Sequence, residues 1–346
     1  MKKYKAYGIG AALVDTEIKV DDSELNTMRV EKGLMTLVDQ ARQQELLGHL
    51  QGHLVKASHA SGGSAGNSMI ATAQFGGPTF MSCKVANDSD GDIYIADLEG
   101  AGVDHCFAGE RSDGVTGKCL VLITPDAERS MNTYLGISET LSTEQLNPDA
   151  IADSEYLYIE GYLVTSPTGR AAAVKAREIA EAAGVKTALS FSDPGMVEFF
   201  REGIAEIIGS RLDLVFCNED EALGWAQSDD IDVAVEKIKD VAETFVITRG
   251  AAGALTFDGK ELAEIPSSKV DAVDTNGAGD MFAGAFLYAI TNGEDFPTAG
   301  RFASLAAGKI VAKFGPRLPA GDYKACLLYT SPSPRDRTRS RMPSSA

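Results

Sequence analysis

The sequence predicts a doubly wound α/β fold: a mostly parallel central sheet flanked by helices, with a small β-sheet lid. Three observations carry this. Short apolar runs at 156–159, 186–191, 214–217 and 245–248 are bounded by turn residues, the pattern of strands buried on both faces of a parallel sheet. Helical segments separate them, at 167–183, closed by Gly184, and at 232–243, and such alternation argues for βαβ units. Two stretches, 14–37 and 109–136, break the alternation and hold short β-prone pieces. Paired with each other, they make a small sheet projecting from the main body.

The elements follow in order. Residues 4–13 read as a first β run. A polar–apolar helical pattern covers 39–50. A small-residue helix covers 64–75, after Gly62-Gly63. A strand at 79–85 and a helix at 91–101 come next. The runs 118–124 and 130–134 form a hairpin around Pro125-Asp126. Late in the chain, 281–290 is an apolar helix of Ala, Phe, Leu and Met. No internal repeat is present, and 1–326 reads as a single domain with a discontinuous lid. Residues 327–346 are set outside it. After Thr330 they are Ser, Pro and Arg with almost no apolar side chains, which cannot bury enough surface to fold; this reads as a disordered tail of artefactual origin.

Composition narrows the function. The 346 residues carry 50 acidic and 32 basic side chains, a net charge of −18. Binding to nucleic-acid phosphates or to an anionic membrane needs clustered Lys and Arg, so neither partner is expected. No apolar run reaches the roughly 18 residues of a membrane span. Lys2, Lys3 and Lys5 lead straight into the first strand rather than into a secretory signal. Five cysteines, an odd number with no CxxC pair, suit free thiols in a reducing cytoplasm.

The strongest chemical signal is the run Val273-Asp274-Thr275-Asn276-Gly277-Ala278-Gly279-Asp280. A glycine turn opening a helix aims unsatisfied N–H groups, here those of Gly277, Ala278 and Gly279, at an anion, aided by the helix dipole. Asp280 places a proton acceptor beside that cradle, as phosphoryl transfer to a hydroxyl requires; the plainer reading is a helix cap. A second helix opens at Ser61-Gly62-Gly63-Ser64-Ala65-Gly66-Asn67. Its glycines admit a ligand close to the backbone, and Asn67 offers a donor and an acceptor suited to vicinal hydroxyls. Asp15, after the first strand, stands at a strand end where ligands bind in open sheets, or is a turn residue. Asn218 and Glu221, three apart at a helix start, either orient magnesium-bound water or cap the helix. Thr248-Arg249-Gly250 is a strand end and turn that can line a nucleotide.

These blocks, in this order and spacing, resemble the ribokinase-like carbohydrate kinases over about residues 4–319. The stretches MNTYLGIS, YLYIEGYLVTSP and FGPRLP are most similar to its bacterial adenosine kinase-like branch. The resemblance implies ATP and Mg2+ as cofactors and, for some members, K+. It implies Asp280 as base, Gly277, Ala278 and Gly279 as anion hole, and Asp15, Gly63 and Asn67 on the sugar hydroxyls, with Tyr162 stacking on a purine. Asn218 and Glu221 act through magnesium and water, Thr248 and Gly250 lie near ATP, and Asp274 and Thr275 lend backbone carbonyls to a monovalent cation. Asn276 stands where Thr is more usual. Asp193-Pro194 stands where an Asn-Pro contacts phosphates, and a carboxylate there repels phosphate unless magnesium intervenes.

Other patterns fail. Gly8-Ile9-Gly10 lacks the third glycine of a dinucleotide fingerprint, and Gly117-Lys118 lacks the rest of a Walker loop. His49 and His53 have no metalloprotease context, and Trp225 reads as a packing anchor. The expected activity is ATP-dependent phosphorylation of the 5′-hydroxyl of a purine nucleoside, adenosine foremost, by a monomer or homodimer. The alternatives are inosine, guanosine or a sugar such as ribose as acceptor, and a non-catalytic nucleoside-binding regulator.

Overall fold

In chain order the elements begin with β1 (Tyr4–Ile9), β2 (Leu13–Lys19), α1 (Asp22–Met28), β3 (Met35–Leu37), α2 (Gln40–His49) and β4 (Ser58–Gly62). Then come α3 (Ser64–Gln74), β5 (Thr79–Ser82), α4 (Ser89–Ala101), β6 (Val103–His105), β7 (Gly117–Ile123) and β8 (Arg129–Tyr134). The middle of the chain forms α5 (Pro148–Ala152), β9 (Ser154–Glu160), α6 (Pro167–Ala182), β10 (Lys186–Ser190), α7 (Pro194–Phe199), α8 (Arg201–Ile208) and β11 (Leu212–Asn218). The last part forms α9 (Glu219–Ala226), α10 (Ile231–Lys239), β12 (Ala242–Thr248), β13 (Ala254–Phe257), β14 (Leu262–Ile265), α11 (Ala278–Thr291), α12 (Phe296–Val311) and α13 (Ala320–Thr330). The structure, a computed structural model, describes residues 2–52, 58–107 and 111–330.

The large sheet has nine strands in the order β14-β13-β12-β11-β10-β9-β1-β5-β6. From β6 to β12 every neighbouring pair is parallel, and β13 and β14 add an antiparallel edge. Leu157, Ile159, Leu189, Leu214, Val215, Val246 and Ile247 are wholly buried in it, as strands covered by helices on both faces must be. This is the doubly wound architecture expected. The chain leaves β1 toward β5 and β6, then returns to place β9 on the other side. The switch point therefore lies between β1 and β9, where open sheets leave a crevice beyond the strand ends.

The second sheet is ordered β3-β8-β7-β2-β4. Its alternation assigns two faces. Leu120 and Leu122 of β7 and Ile18 of β2 pack against Leu25 and Met28 of α1 and Leu46 of α2. Cys119, Val121 and Ile123 face the other way, with Leu13 and Met131. Asp15 and Glu17 share the inward face with Leu13, since alternate residues of a strand point the same way.

Some boundaries differ from expectation. The first β run is two strands, one in each sheet, because the chain bends at 10–12. The lid expected from 14–37 and 109–136 also takes in β4, and 22–28 is a helix capped by Asp21 in a capping box, not a strand. The helix expected over 232–243 ends at Lys239, because Ala242 and Glu243 pair into β12. Helix α13 continues to Thr330, and Leu327 packs on the core, so the fold passes the boundary expected at 326. Residues 331–346, His53 and 109–110 lie outside the described residues.

Candidate active site

Helices α3 and α11 bring the site together. Gly284 packs so closely on α3 that a Cβ there would lie 2.5 Å from the Ser68 carbonyl oxygen, and the Thr72 hydroxyl donates to the Gly284 carbonyl at 3.0 Å. Asp280 is one turn before Gly284, and Ser64 one turn before Ser68. The close crossing therefore sets the first turns of both helices side by side. Neither helix has a side-chain N-cap; Gly63 (φ 87°) and Gly277 (φ 71°) precede them at positive φ, which glycine tolerates.

The result is a cradle around Asp280. Ser64 Oγ donates to its Oδ1 at 2.6 Å and Asn67 Nδ2 to its Oδ2 at 3.0 Å. Burial pushes the carboxyl up from its ordinary range, while these donors and the charges of Arg129 and Arg317 pull it back. Among the described residues, the Gly277 and Gly279 amides have no acceptor in the protein. The Ala278 amide does: it closes a turn onto Thr275 O at 3.2 Å. Two of the three amides expected in the anion hole are thus open, and the third is turned back by the turn that shapes the loop.

Two cavities meet at Asp280. The first, with about 680 Å3 of empty space, lies under the lid and is lined by Asp15, Gly63, Asn67, Tyr162 and Asp280, all expected there. Leu13, Met35, Leu37, Met131 and Leu135 form its apolar wall. The second, with about 1090 Å3, is lined by Asn218, Glu221, Thr248, Thr275, Gly277, Ala278 and Gly279. Ser64, Arg129, Ser192 and Asp280 border both. Two expected residues line neither. Gly250 sits on an exposed turn after β12. Asp274 is fully buried, its carboxylate accepting from the amides of Asn276 at 2.8 Å and Gly315 at 2.9 Å.

Acids line both cavities, with Arg129 shared between them. Asp15 is 5 % exposed, and its carboxyl group makes no hydrogen bond within the described protein; burial, reinforced by Glu17, pushes it up to about 8. A carboxylate held without partners at a cavity wall is costly unless a ligand supplies them. Tyr162 donates to Ser192 O at 3.2 Å, which fixes its ring beside the first cavity. In the second cavity Asn218 and Glu221 form a reciprocal cap: Asn218 Oδ1 accepts from the Glu221 amide at 2.8 Å, and Glu221 accepts from Asn218 N and Nδ2 at 3.0 and 2.8 Å. The plainer reading of this pair is therefore present, and both residues still face the cavity. Burial pushes Glu221 up to about 8, with Asp193 and Asp220 adding to the rise. Among the described residues no three carboxylate, imidazole or thiol groups converge to hold a metal ion directly, so a hard divalent cation here would meet Asn218 and Glu221 only through water. Asp193 caps α7 through the Gly195 amide at 2.8 Å and lines the same cavity.

Three residues of the site escaped the sequence reading. Arg129 of the lid strand β8 reaches between the cavities; its Nη1 lies 3.5 Å from Thr275 O. Glu160, at the end of β9, accepts from the amides of Ala11 at 3.2 Å and Ala65 at 2.8 Å. It supplies from a distance the cap that α3 lacks, and burial lifts it to about 7. Arg317 contacts Asn67. None of the three lies in a glycine block, and only the topology brings them to the switch point.

Comparison with known proteins places this geometry. The family model for pfkB family carbohydrate kinases matches residues 33–321. The crystal structure of adenosine kinase from Sinorhizobium meliloti is 34 % identical, with a TM-score of 0.88, covering 94 % of this chain and 99 % of that one. A probable sugar kinase from Rhizobium etli CFN 42 is 32 % identical, with a TM-score of 0.90, covering 95 % and 100 %. An adenosine kinase of Schizophyllum commune is 28 % identical over 342 residues, 90 % of this chain and 95 % of that one.

Proposed function

The chain belongs to the pfkB family of carbohydrate kinases, and from that premise we propose that it phosphorylates the 5′-hydroxyl of a purine nucleoside, adenosine foremost, at the expense of ATP. The observation that carries this reading is the single carboxylate, Asp280, on the wall between two cavities of opposite character. The lid cavity has a polar edge for a sugar and an apolar wall for a base. Asp15 accepts from ribose hydroxyls, Asn67 and the Gly63 backbone complete that edge, and Tyr162 lies against the purine. A free pentose would leave Met35, Leu37 and Met131 without a partner, which favours a nucleoside over ribose.

In the reaction the acceptor O–H gives its proton to the Asp280 carboxylate. The alcohol oxygen forms a bond to the γ-phosphorus as the bond to the bridging oxygen breaks, and ADP leaves. Ser64 and Asn67 hold the carboxylate in place. The open amides of Gly277 and Gly279 and the guanidinium of Arg129 face the charge on the transferring group. Thr248 lies toward the nucleotide, and Gly250 shapes the turn beside it. Asn218 and Glu221 would hold Mg2+ through water, which when bound neutralises phosphate charge next to Asp193. The Thr275 carbonyl already accepts from the Ala278 amide and faces the Arg129 guanidinium, so Asp274 and Thr275 do not fit a K+ ion as they stand and no step is drawn through one.

The test is a panel of adenosine, inosine, guanosine and ribose with ATP and magnesium, scored for phosphorylated product. Adenosine monophosphate formed with the highest kcat/KM is the expected result. Turnover of ribose alone would replace the nucleoside with a sugar, and tight adenosine binding without product would make the chain a sensor.

A further inference from the structure

Arg317 has no place in the chemistry above, yet it is largely buried against the site. Its Nε donates to Asn67 Oδ1 at 3.2 Å and its Nη1 to Asp97 Oδ2 at 2.6 Å, and its Nη2 donates to the carbonyl and hydroxyl oxygens of Ser61. These partners sit on α3, α4 and the end of β4, so one guanidinium ties the lid, two helices and the loop before α13 together. Asp97 is in turn held by the Ser61 amide at 3.2 Å and the Ser61 hydroxyl.

The consequence lies in the chemistry of Asn67. An amide has one acceptor end and one donor end, whereas a guanidinium has donors only. Because Arg317 occupies the acceptor end, Asn67 must turn its NH2 toward Asp280 and the cavity. From this we infer that Arg317 is a positioning residue: it sets the orientation of the Asn67 amide and thereby holds the Asp280 carboxylate in line with the acceptor hydroxyl. A rigid fork does this where a lysine cannot, since a point charge cannot bridge three partners with fixed directions.

Arg317 also acts on Asp280 through its field. The charged and titratable groups facing Asp280 are Arg129 from β8, Asp15 from β2, Tyr158 and Glu160 from β9, Tyr162 after it, and Arg317. Only Arg129 and Arg317 among them favour the ionised base. Removing Arg317 therefore raises the pH at which the base becomes active.

This inference rests on the kinase reading, and the experiment separates the two. Arg317→Met, Arg317→Lys, Asn67→Ala and the double variant Arg317→Met/Asn67→Ala are assayed for kcat, for KM of nucleoside and ATP, and for the pH profile of kcat/KM. Arg317→Met is expected to lower kcat at least tenfold, leave the KM for ATP within about twofold, and move the acid limb of the profile to higher pH. Arg317→Lys is expected to return the acid limb toward the wild-type position but leave kcat at least threefold down; this variant carries the test should Arg317→Met not fold. In the Asn67→Ala background, Arg317→Met is expected to lose most of its effect on kcat. Wild-type kcat in Arg317→Lys, an unmoved acid limb in Arg317→Met, or full additivity in the double variant would overturn the inference while the kinase reading stands. A wild-type protein that phosphorylates nothing would overturn the kinase reading itself.

Discussion

Replacing Asp15 with Asn should make the protein more stable and a worse enzyme, and the size of both effects follows from the site. Asp15 is 5 % exposed, and its carboxyl group has no hydrogen-bond donor in the described protein and is pushed from 3.8 to about 8. An acid whose pKa is raised on folding holds more protons in the native state than in the unfolded one between those two values. Its stability contribution is therefore present at low pH and lost as pH rises through the window. A rise of roughly four units at about 1.36 kcal/mol each sets a ceiling of about 5–6 kcal/mol above pH 8 and about 4 kcal/mol at pH 7. Water in the open cavity lowers this, so the expected gain for Asp15→Asn is about 1–3 kcal/mol at pH 8 and near zero at pH 4. On the functional side, hydroxyls donating to Asp15 favour its ionised form in the complex, and Asn offers one acceptor and one donor in place of those two charged acceptors. Losing charge-assisted hydrogen bonds of about 1.5–3 kcal/mol raises the acceptor KM about ten- to a hundredfold. Urea unfolding from pH 4.5 to 8.5, with nucleoside kinetics at pH 7.5, measures both. A stability difference that does not change with pH, or an unchanged KM, would refute the reasoning.

Two further outcomes follow from the same packing. Glu17, on the inward face of β2, accepts from Asn276 Nδ2 at 2.8 Å through Oε1, while its buried Oε2 has no partner; burial raises it from 4.5 to about 7. Glu17→Gln keeps the bond to Asn276 and removes the charge, so it should stabilise the fold by about 1–3 kcal/mol at pH 8 and not at pH 4.5, with equal gain at both pH values counting against the account. Gly63→Ala places a Cβ 2.2 Å from the Ala11 carbonyl oxygen at a φ of 87°; it should cost at least about 2 kcal/mol in urea unfolding and depress turnover, and wild-type stability would show that the turn is not constrained as described.

The central sheet was legible because burial on both faces leaves short unbroken apolar runs, and β9, β10, β11 and β12 each carry one. The anion loop and α3 were legible because glycines opening a helix have a local chemical meaning. Other features depend on distant contacts. Residues 4–13 are continuously β-prone, and only tertiary placement makes β1 a strand of the large sheet and β2 a strand of the lid. Ala242 and Glu243 carry a helical pattern, but pairing with Leu212 and its neighbours in β11 draws them into β12. The inward acids Asp15 and Glu17 invert the usual rule that polar strand residues face water, and no periodicity separates that inversion from an exposed face. Arg129, Glu160 and Arg317 lie far apart in the chain and converge only because the strand order reverses between β1 and β9.

The most direct test of the account is turnover of Asp280→Asn, with the phosphorylated nucleoside detected directly and nucleoside binding measured separately. Loss of the general base should cut turnover at least about a hundredfold while the dissociation constant for nucleoside stays within a few-fold of wild type. Product formation at a rate near wild type would show that the carboxylate between the two cavities does not take the proton, and the account would fall with it.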